Sequence, residues 1–169
     1  PDTFMEPSSS KENYNKYKKK YDIFGIGHAL LDLEYHVDCE FLNKNSIKQG
    51  SMSLVNFEQQ QKLRDQLLNN SPNQMLPAGS AANTLFIIRH LGAKVYFHAN
   101  LGQDVMGKHY QQCLEHTGLK TNVSADNLLP GNTGVCLVMI TPDAERTMLT
   151  NLGVSDKFEH KSIDLTEMQ

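Results

Sequence analysis

Apolar runs and alternating stretches predict strands near both ends of the ordered chain. The apolar run 21–27, closed by glycines, predicts a buried strand. Residues 31–38 and, more weakly, 50–55 alternate apolar with polar positions, which predicts strands with one face in water. The runs 133–140 and 146–152 flank the turn TPDAE and predict a hairpin-like pair of strands.

Helical periodicity separates these strands. Residues 57–69 form the first predicted helix, with Asn56 as its N-cap and Gln59 as the partner in a capping box. The second covers 80–91, where apolar residues recur on one face until Gly92 ends it.

The remaining elements repeat this order of helix and strand. Residues 94–100 predict a strand directly after Gly92, which gives half of a βαβ unit. A further helix runs from a cap at Asp104 to a stop at Gly118. The pattern therefore predicts an α/β fold. Residues 159–169 resemble the opening of a helix capped by Asp164, so we interpret the chain as truncated before its next strand.

Composition narrows the class of protein. The 169 residues carry a formal net charge of -3 and are 39% hydrophobic, which suits one globular domain with a buried core. No element concentrates basic residues, so we expect no nucleic-acid partner. The longest apolar run, 135–140, is about a third of the roughly 20 residues that a membrane span needs, so we expect no membrane contact. Residues 1–20 are polar and predict a disordered extension or a remnant of expression.

Cysteines and histidines give no metal or redox motif. Cys39, Cys113 and Cys136 lie far apart, and we expect buried, reduced thiols in the cytoplasm. The seven histidines are equally scattered, and we expect no metal site. Gly25 and Gly27 have the G-x-G spacing of a dinucleotide fingerprint. Leu30 replaces the third glycine, which argues against a dinucleotide-dependent enzyme.

Two polar residues stand out in apolar surroundings. Asp32 lies between Leu31 and Leu33, where a carboxylate is costly unless it is paired or faces a ligand, although an exposed strand position or a turn cap also explains it. Ionised, it can accept hydrogen bonds from two hydroxyls. Ser80 suits a plain N-cap, but neither capping nor packing requires the amide of Asn83. At a helix N-terminus, free N–H groups favour oxygen-rich or anionic ligands.

The stretch AGSAANTLFIIRHLGAKVYFHANLG, residues 78–102, resembles the first signature of the ribokinase family of carbohydrate and nucleoside kinases, also called the PfkB family. The glycines, small residue and asparagine of that signature correspond here to Gly79, Ala81, Asn83, Gly92 and Gly102. Leu85 departs from it, because the family usually has Ser, Thr or Ala there. The phrases GIGHALLDLEYHVD, GQDVMGKHYQQCLEHTGL and TGVCLVMITPDAERTMLTNLG follow the family order. The resemblance covers about 21–158 and is strongest to the adenosine-kinase-like branch.

The resemblance implies a ribokinase-like fold, a Rossmann-like βα core with a small β-sheet lid, of which 21–169 would be the N-terminal part. The lid strands would lie within about 30–55 and 133–152. By position, Asp32 would bind two hydroxyls of a sugar or ribose, and Gly79, Ser80 and Asn83 would line the opposite wall. His28 stands where nucleoside kinases often have a small amide, and Ala78 replaces the first glycine of the family's usual pair. Arg146 would approach the transferring phosphates.

The implied activity of the full-length protein is transfer of a phosphoryl group from ATP, with Mg²⁺, to a primary hydroxyl of adenosine or a ribose-like sugar. The apolar face of the lid strands would pair with a second subunit. The family's catalytic string D-T-x-G-A-G-D does not occur in this sequence, so we assign no catalytic residue and expect the chain alone to be inactive. The alternative is a non-catalytic module that binds a sugar or nucleoside, or another protein.

Overall fold

The computed structural model describes residues 20–67, 72–158 and 163, which form two sheets and four α-helices. The strands are β1 (Ile23–Ile26), β2 (Leu30–His36), β3 (Met52–Leu54), β4 (Gln74–Ala78), β5 (Val95–His98), β6 (Lys120–Thr121), β7 (Gly134–Ile140) and β8 (Arg146–Asn151). The helices are α1 (Cys39–Lys44), α2 (Phe57–Leu67), α3 (Ser80–His90) and α4 (Val105–Thr117). Two 3₁₀ turns, Ala125–Asn127 and Gly153–Asp156, complete the described elements.

A three-stranded parallel sheet, in the order β1-β5-β6, forms the βα part of the fold. Helices α3 and α4 pack on one of its faces, in a core that contains Phe97, Leu85 and Tyr110. Strand β1 is parallel to β5, with α3 between them in the chain, and this completes the half βαβ unit predicted from α3 and β5. Helix α4 then joins β5 to the parallel strand β6.

The other sheet has five strands in the order β3-β8-β7-β2-β4. One face carries Leu33, Tyr35 and Leu137, which share a core with Leu42 of α1 and Leu67 of α2. The opposite face is formed by the alternate residues of each strand. It carries the candidate site described below.

The structure confirms the predicted helices and the hairpin of β7 and β8. The capping box is present, since Asn56 N donates to Gln59 Oε1 at 3.1 Å and Gln59 N donates to Asn56 Oδ1 at 2.8 Å. Asp104 caps α4 by accepting from Gly107 N at 2.7 Å. The predicted end of the α2 helix at residue 69, all but the last residue of the extension 1–20, and the helix start at Asp164 lie outside the described residues.

Two predictions of burial were wrong, and one strand was not predicted. Strand β1 is not buried, because it lies at a sheet edge, where Ile23 and Ile26 are 36% and 43% exposed. Strand β4 was not predicted; its Pro77 is tolerated because β4 is an edge strand, paired with β2 alone among the described strands. The thiol of Cys39 is exposed rather than buried, because it begins the outward-facing first turn of α1, and Cys113 is only partly buried. None of the helices in the described residues combines the length and apolarity that crossing a bilayer requires.

Candidate functional site

A single row of residues crosses the five-stranded sheet at the level of Asp32. The strand register pairs Asp32 with Leu76 on one side and with Cys136 on the other, and pairs Cys136 with Thr150. Thr150 in turn is paired with Leu54 of the edge strand β3. Residues paired across a sheet project from the same face, so these five side chains share one face. Leu54 and Leu76 lie at the two ends of this row and are 64% and 50% exposed. Between them lie Asp32, Cys136 and Thr150, the polar centre of the face.

Asp32 is a half-buried carboxylate whose charge is partly balanced by its neighbours. Burial raises its pKa above the ordinary range, whereas the positive charge of Arg146 lowers it. The nearby negative charge of Glu34 raises the pKa again, and a hydrogen bond from the Cys136 thiol lowers it. A carboxylate has room for several donors, so the hydrogen bond from the thiol leaves acceptor sites free.

Cys136 and Thr150 are site residues that the sequence did not reveal. Cys136 is only 5% exposed, and burial is the largest cause that raises its pKa, to about 11. A hydrogen bond from Thr150 lowers the pKa of Cys136. The negative charge of Asp32 and the hydrogen bond between the thiol and Asp32 both raise the pKa of Cys136. In the sequence Cys136 sits in a continuous apolar run, which does not show which face a residue occupies.

The N-terminus of α3 lies beside the loop between β1 and β2. Gly79 is the N-cap, with φ 113°, and a Cβ there would collide with the carbonyl oxygen of His28. No side chain caps this helix, and its first backbone bond runs from Asn83 N to Gly79 O at 2.9 Å. The N–H groups of the three residues before Asn83 therefore have no intrahelical acceptor. Ser80 begins the helix and is not its cap.

Asn83 lies one turn along the same helix and is exposed. Its side-chain amide makes no hydrogen bond to the part of the chain that the structure describes. Leu30 of β2 is paired with Ala78, the residue before Gly79. The structure therefore brings Gly79 and Ser80 close to the strand that carries Asp32, with Asn83 on the adjoining helix turn.

His28 is held by the segment that follows β8. Its Nδ1 donates to the Ser155 carbonyl oxygen at 2.9 Å and lies 3.2 Å from the Ser155 hydroxyl. The Phe158 ring lies 5.9 Å from the imidazole, centroid to centroid. These contacts orient the imidazole and occupy its Nδ1, while the backbone carbonyl of His28 lies against Gly79.

Arg146 opens β8 and is exposed. It is paired with Ile140, which lies four residues after Cys136 on the same strand. Because side chains alternate between faces, an even spacing places Arg146 on the face that carries Asp32. A cleft of about 440 Å³ adjoins this face. Leu54, Thr150 and Lys157 are among the residues that line it. Such a volume is in the range of small-molecule sites.

The described residues contain no group of three or more His, Cys, Asp or Glu side chains that could hold a metal ion. The polar centre of the face is the carboxylate of Asp32, with the Cys136 thiol and the Thr150 hydroxyl in a row beside it. Hydrogen-bond acceptors and free helix N–H groups are suited to a ligand that carries several hydroxyls.

With this two-sheet α/β architecture, the chain has the ribokinase-like fold that the solved relatives share. A probable sugar kinase from Rhizobium etli matches with a TM-score of 0.76 at 22% identity, over 88% of this chain and 44% of that one. The adenosine kinase of Sinorhizobium meliloti matches with a TM-score of 0.70 at 28% identity, over 86% of this chain and 43% of that one.

The chain belongs to the pfkB family of carbohydrate kinases, whose model matches residues 44–168. The adenosine kinase of Dictyostelium discoideum is 28% identical over 150 residues, which are 87% of this chain and 43% of the relative. The adenosine kinase of Saccharomyces cerevisiae is 28% identical over 145 residues, 82% of this chain and 42% of that protein. The chain thus spans less than half the length of these relatives. The family match includes Asn83 and Arg146 but begins after Asp32.

Proposed function

We propose that the protein carrying this chain is an ATP-dependent kinase that phosphorylates a primary hydroxyl of a nucleoside or sugar, adenosine or a ribose-like sugar. Family membership and the adenosine kinase relatives support this proposal. The observation that carries it is the half-buried Asp32 on an open sheet face beside the uncapped N-terminus of α3. A carboxylate in that position suits recognition of neighbouring hydroxyls.

In this proposal the chain supplies the acceptor side of the reaction. Asp32 accepts hydrogen bonds from two acceptor hydroxyls, and Asn83, Ser80 and the backbone at Gly79 form the opposite wall. The acceptor oxygen forms a bond to the γ-phosphorus of ATP while the bond to the β–γ bridging oxygen breaks, and ADP leaves. Arg146 approaches the transferring phosphates, whose negative charge Mg²⁺ bound to ATP would also neutralise.

The proton of the acceptor hydroxyl goes to a base outside this sequence, because the D-T-x-G-A-G-D string is absent from it. We therefore propose that the 169 residues alone do not turn over, and that activity belongs to a protein with the remaining length of the relatives. The exposed apolar residues of β3 and β4 are proposed to face a second subunit.

The test is ATP consumption by that longer protein with adenosine and ribose as acceptors. We expect Asp32→Asn to raise the acceptor KM roughly 10- to 100-fold, since hydrogen bonds to a charged group are lost. Asn83→Ala should raise it by about tenfold or less, as expected for a neutral hydrogen bond.

Matched changes at exposed positions away from the face serve as controls. Asp126→Asn repeats the change from carboxylate to amide, and Gln112→Ala removes a helix amide from α4. Both should leave the acceptor KM unchanged. If neither acceptor stimulates ATP consumption, the kinase proposal is wrong. Acceptor binding that persists without any ATP consumption would instead indicate a non-catalytic binding module.

A further inference from the structure

Three side chains on neighbouring strands of the five-stranded sheet lie in one line. The register places Thr150 of β8 beside Cys136 of β7, and Cys136 beside Asp32 of β2. Thr150 and Cys136 are both nearly inaccessible, 6% and 5% exposed, whereas Asp32 is half-buried. The line therefore runs from buried groups toward the accessible carboxylate.

The number of protons that each of the three groups can donate decides the direction of the hydrogen bonds along this line. An ionised carboxylate only accepts, so the Cys136 thiol donates its single proton to Asp32. The sulfur then has only its lone pairs left, and it accepts the hydroxyl proton of Thr150. Donation from Thr150 draws charge from the sulfur and makes the thiol a better donor to Asp32.

We infer that Cys136 and Thr150 are positioning residues for Asp32: the hydroxyl orients the thiol, and the thiol holds the carboxylate in one rotamer on the open face. One part of the carboxylate is then committed to the protein and the rest remains for ligand hydroxyls. The link with acceptor binding rests on the proposed function, but the hydrogen-bonded line itself does not.

Asp32 itself provides a readout that does not depend on activity. Its carboxyl pKa can be followed by carbon-detected NMR in this chain and in Cys136→Ala and Cys136→Ser. Both variants remove the sulfur, but only serine keeps a donor. We expect the Asp32 pKa to be about 0.5 to 1 higher in Cys136→Ala than in Cys136→Ser, the equivalent of one hydrogen bond. Equal pKa values in the two variants would overturn the inference.

Thiol alkylation tests the direction of the line and does not depend on either Cys136 variant. In a background of Cys39→Ser and Cys113→Ser, iodoacetamide reports Cys136 alone. Asp32→Asn removes the negative charge and should speed alkylation, because the thiolate forms more readily. Thr150→Val should slow it, because the sulfur loses its donor. Simple loosening of the sheet would speed alkylation in both variants, and that result would contradict the inference.

The acceptor KM of the longer protein separates this inference from the proposed function. Cys136→Ala should raise the KM several-fold with little change in kcat, and Cys136→Ser should restore most of the difference. If no acceptor is phosphorylated at all, the proposed function fails while the NMR and alkylation results still decide the hydrogen-bonded line. A KM that is the same in both variants would refute the positioning role.

Discussion

His98, at the end of β5, is a buried imidazole. It is 1% exposed, and its Nε2 has no hydrogen-bond partner among the residues that the structure describes. The rings of Phe24 and Phe158 lie against it, with centroids 6.5 Å and 6.1 Å away. Apolar rings cannot solvate an imidazolium, so burial lowers the pKa of His98.

This residue should make stability depend on pH in the acidic range. A lowered pKa in the folded state means that the unfolded chain binds the proton more readily, so the stabilisation is complete above about pH 6.5, the ordinary histidine value. It is lost as the pH falls through the lower folded pKa. We expect His98→Phe to reduce the loss of unfolding free energy between pH 7 and pH 4, measured by urea denaturation.

The difference in unfolding free energy between the wild type and His98→Phe isolates the contribution of His98, because the two proteins share all other titrating groups. His98→Phe should also be the more stable protein at pH 5, because it buries no unpartnered polar atom. Parallel stability curves for the wild type and the variant would show that His98 does not titrate as described.

At the level of elements, the joints between strands and helices are fixed by close backbone approaches. The G-x-D-x-x-G phrase shows this directly, since a Cβ at Gly107 would collide with the Gly102 carbonyl oxygen. Asp104 Oδ2 accepts from Thr133 N at 2.9 Å, and Oδ1 accepts from the Thr133 hydroxyl at 2.6 Å. In this chain the phrase therefore ties the start of α4 to the entry of β7.

The joint between β4 and α3 yields a prediction at this scale. Gly79→Ala places a methyl group against the His28 carbonyl oxygen and also forces alanine into φ 113°. We expect it to cost about 2 kcal/mol or more of unfolding free energy, measured by denaturant titration. Gly92→Ala is the matched control, because Gly92 has φ 100° but open space around its Cβ position.

The control variant should lose only the part due to backbone strain, on the order of 1 kcal/mol. The difference between the two variants therefore reports the close contact between Gly79 and His28. Equal losses of stability would show that the collision is relieved by a small movement, and that the backbone approach at His28 is not tight.

At the scale of the whole molecule, both sheets leave surface that the described residues do not cover. The five-stranded sheet has exposed apolar side chains on its open face, with Met52 61% and Leu54 64% exposed. Strand β3, which carries them, is an edge strand. Uncovered edges and apolar faces favour pairing with another chain.

The proposed pairing of lid strands can be tested by sedimentation velocity over a range of concentrations. We expect Met52→Glu to weaken self-association about tenfold or more, because it would bury an unpaired charge in the interface. Val105→Glu is the control, since Val105 is 81% exposed but lies on α4. If the wild type is monomeric throughout, or if both variants behave alike, pairing through β3 is wrong.

The sequence by itself determined the order of most elements and the family. Local signals were sufficient for this, because caps such as Asn56 and Asp104 and stops such as Gly92 act within one turn of a helix. Asp32 and Asn83 also stood out from the sequence, since each is a polar group that local structure does not require.

Only the tertiary structure decided which side chains meet. The register between β2, β7 and β8 places Cys136 and Thr150 in a row beside Asp32. Residues this far apart in sequence carry no local signal of that register. The same holds for the exposure of β1 and the pairing of β4, because burial depends on what packs against a strand. Local patterns fix how each segment folds, whereas the composition of the site depends on contacts between segments that are distant in sequence.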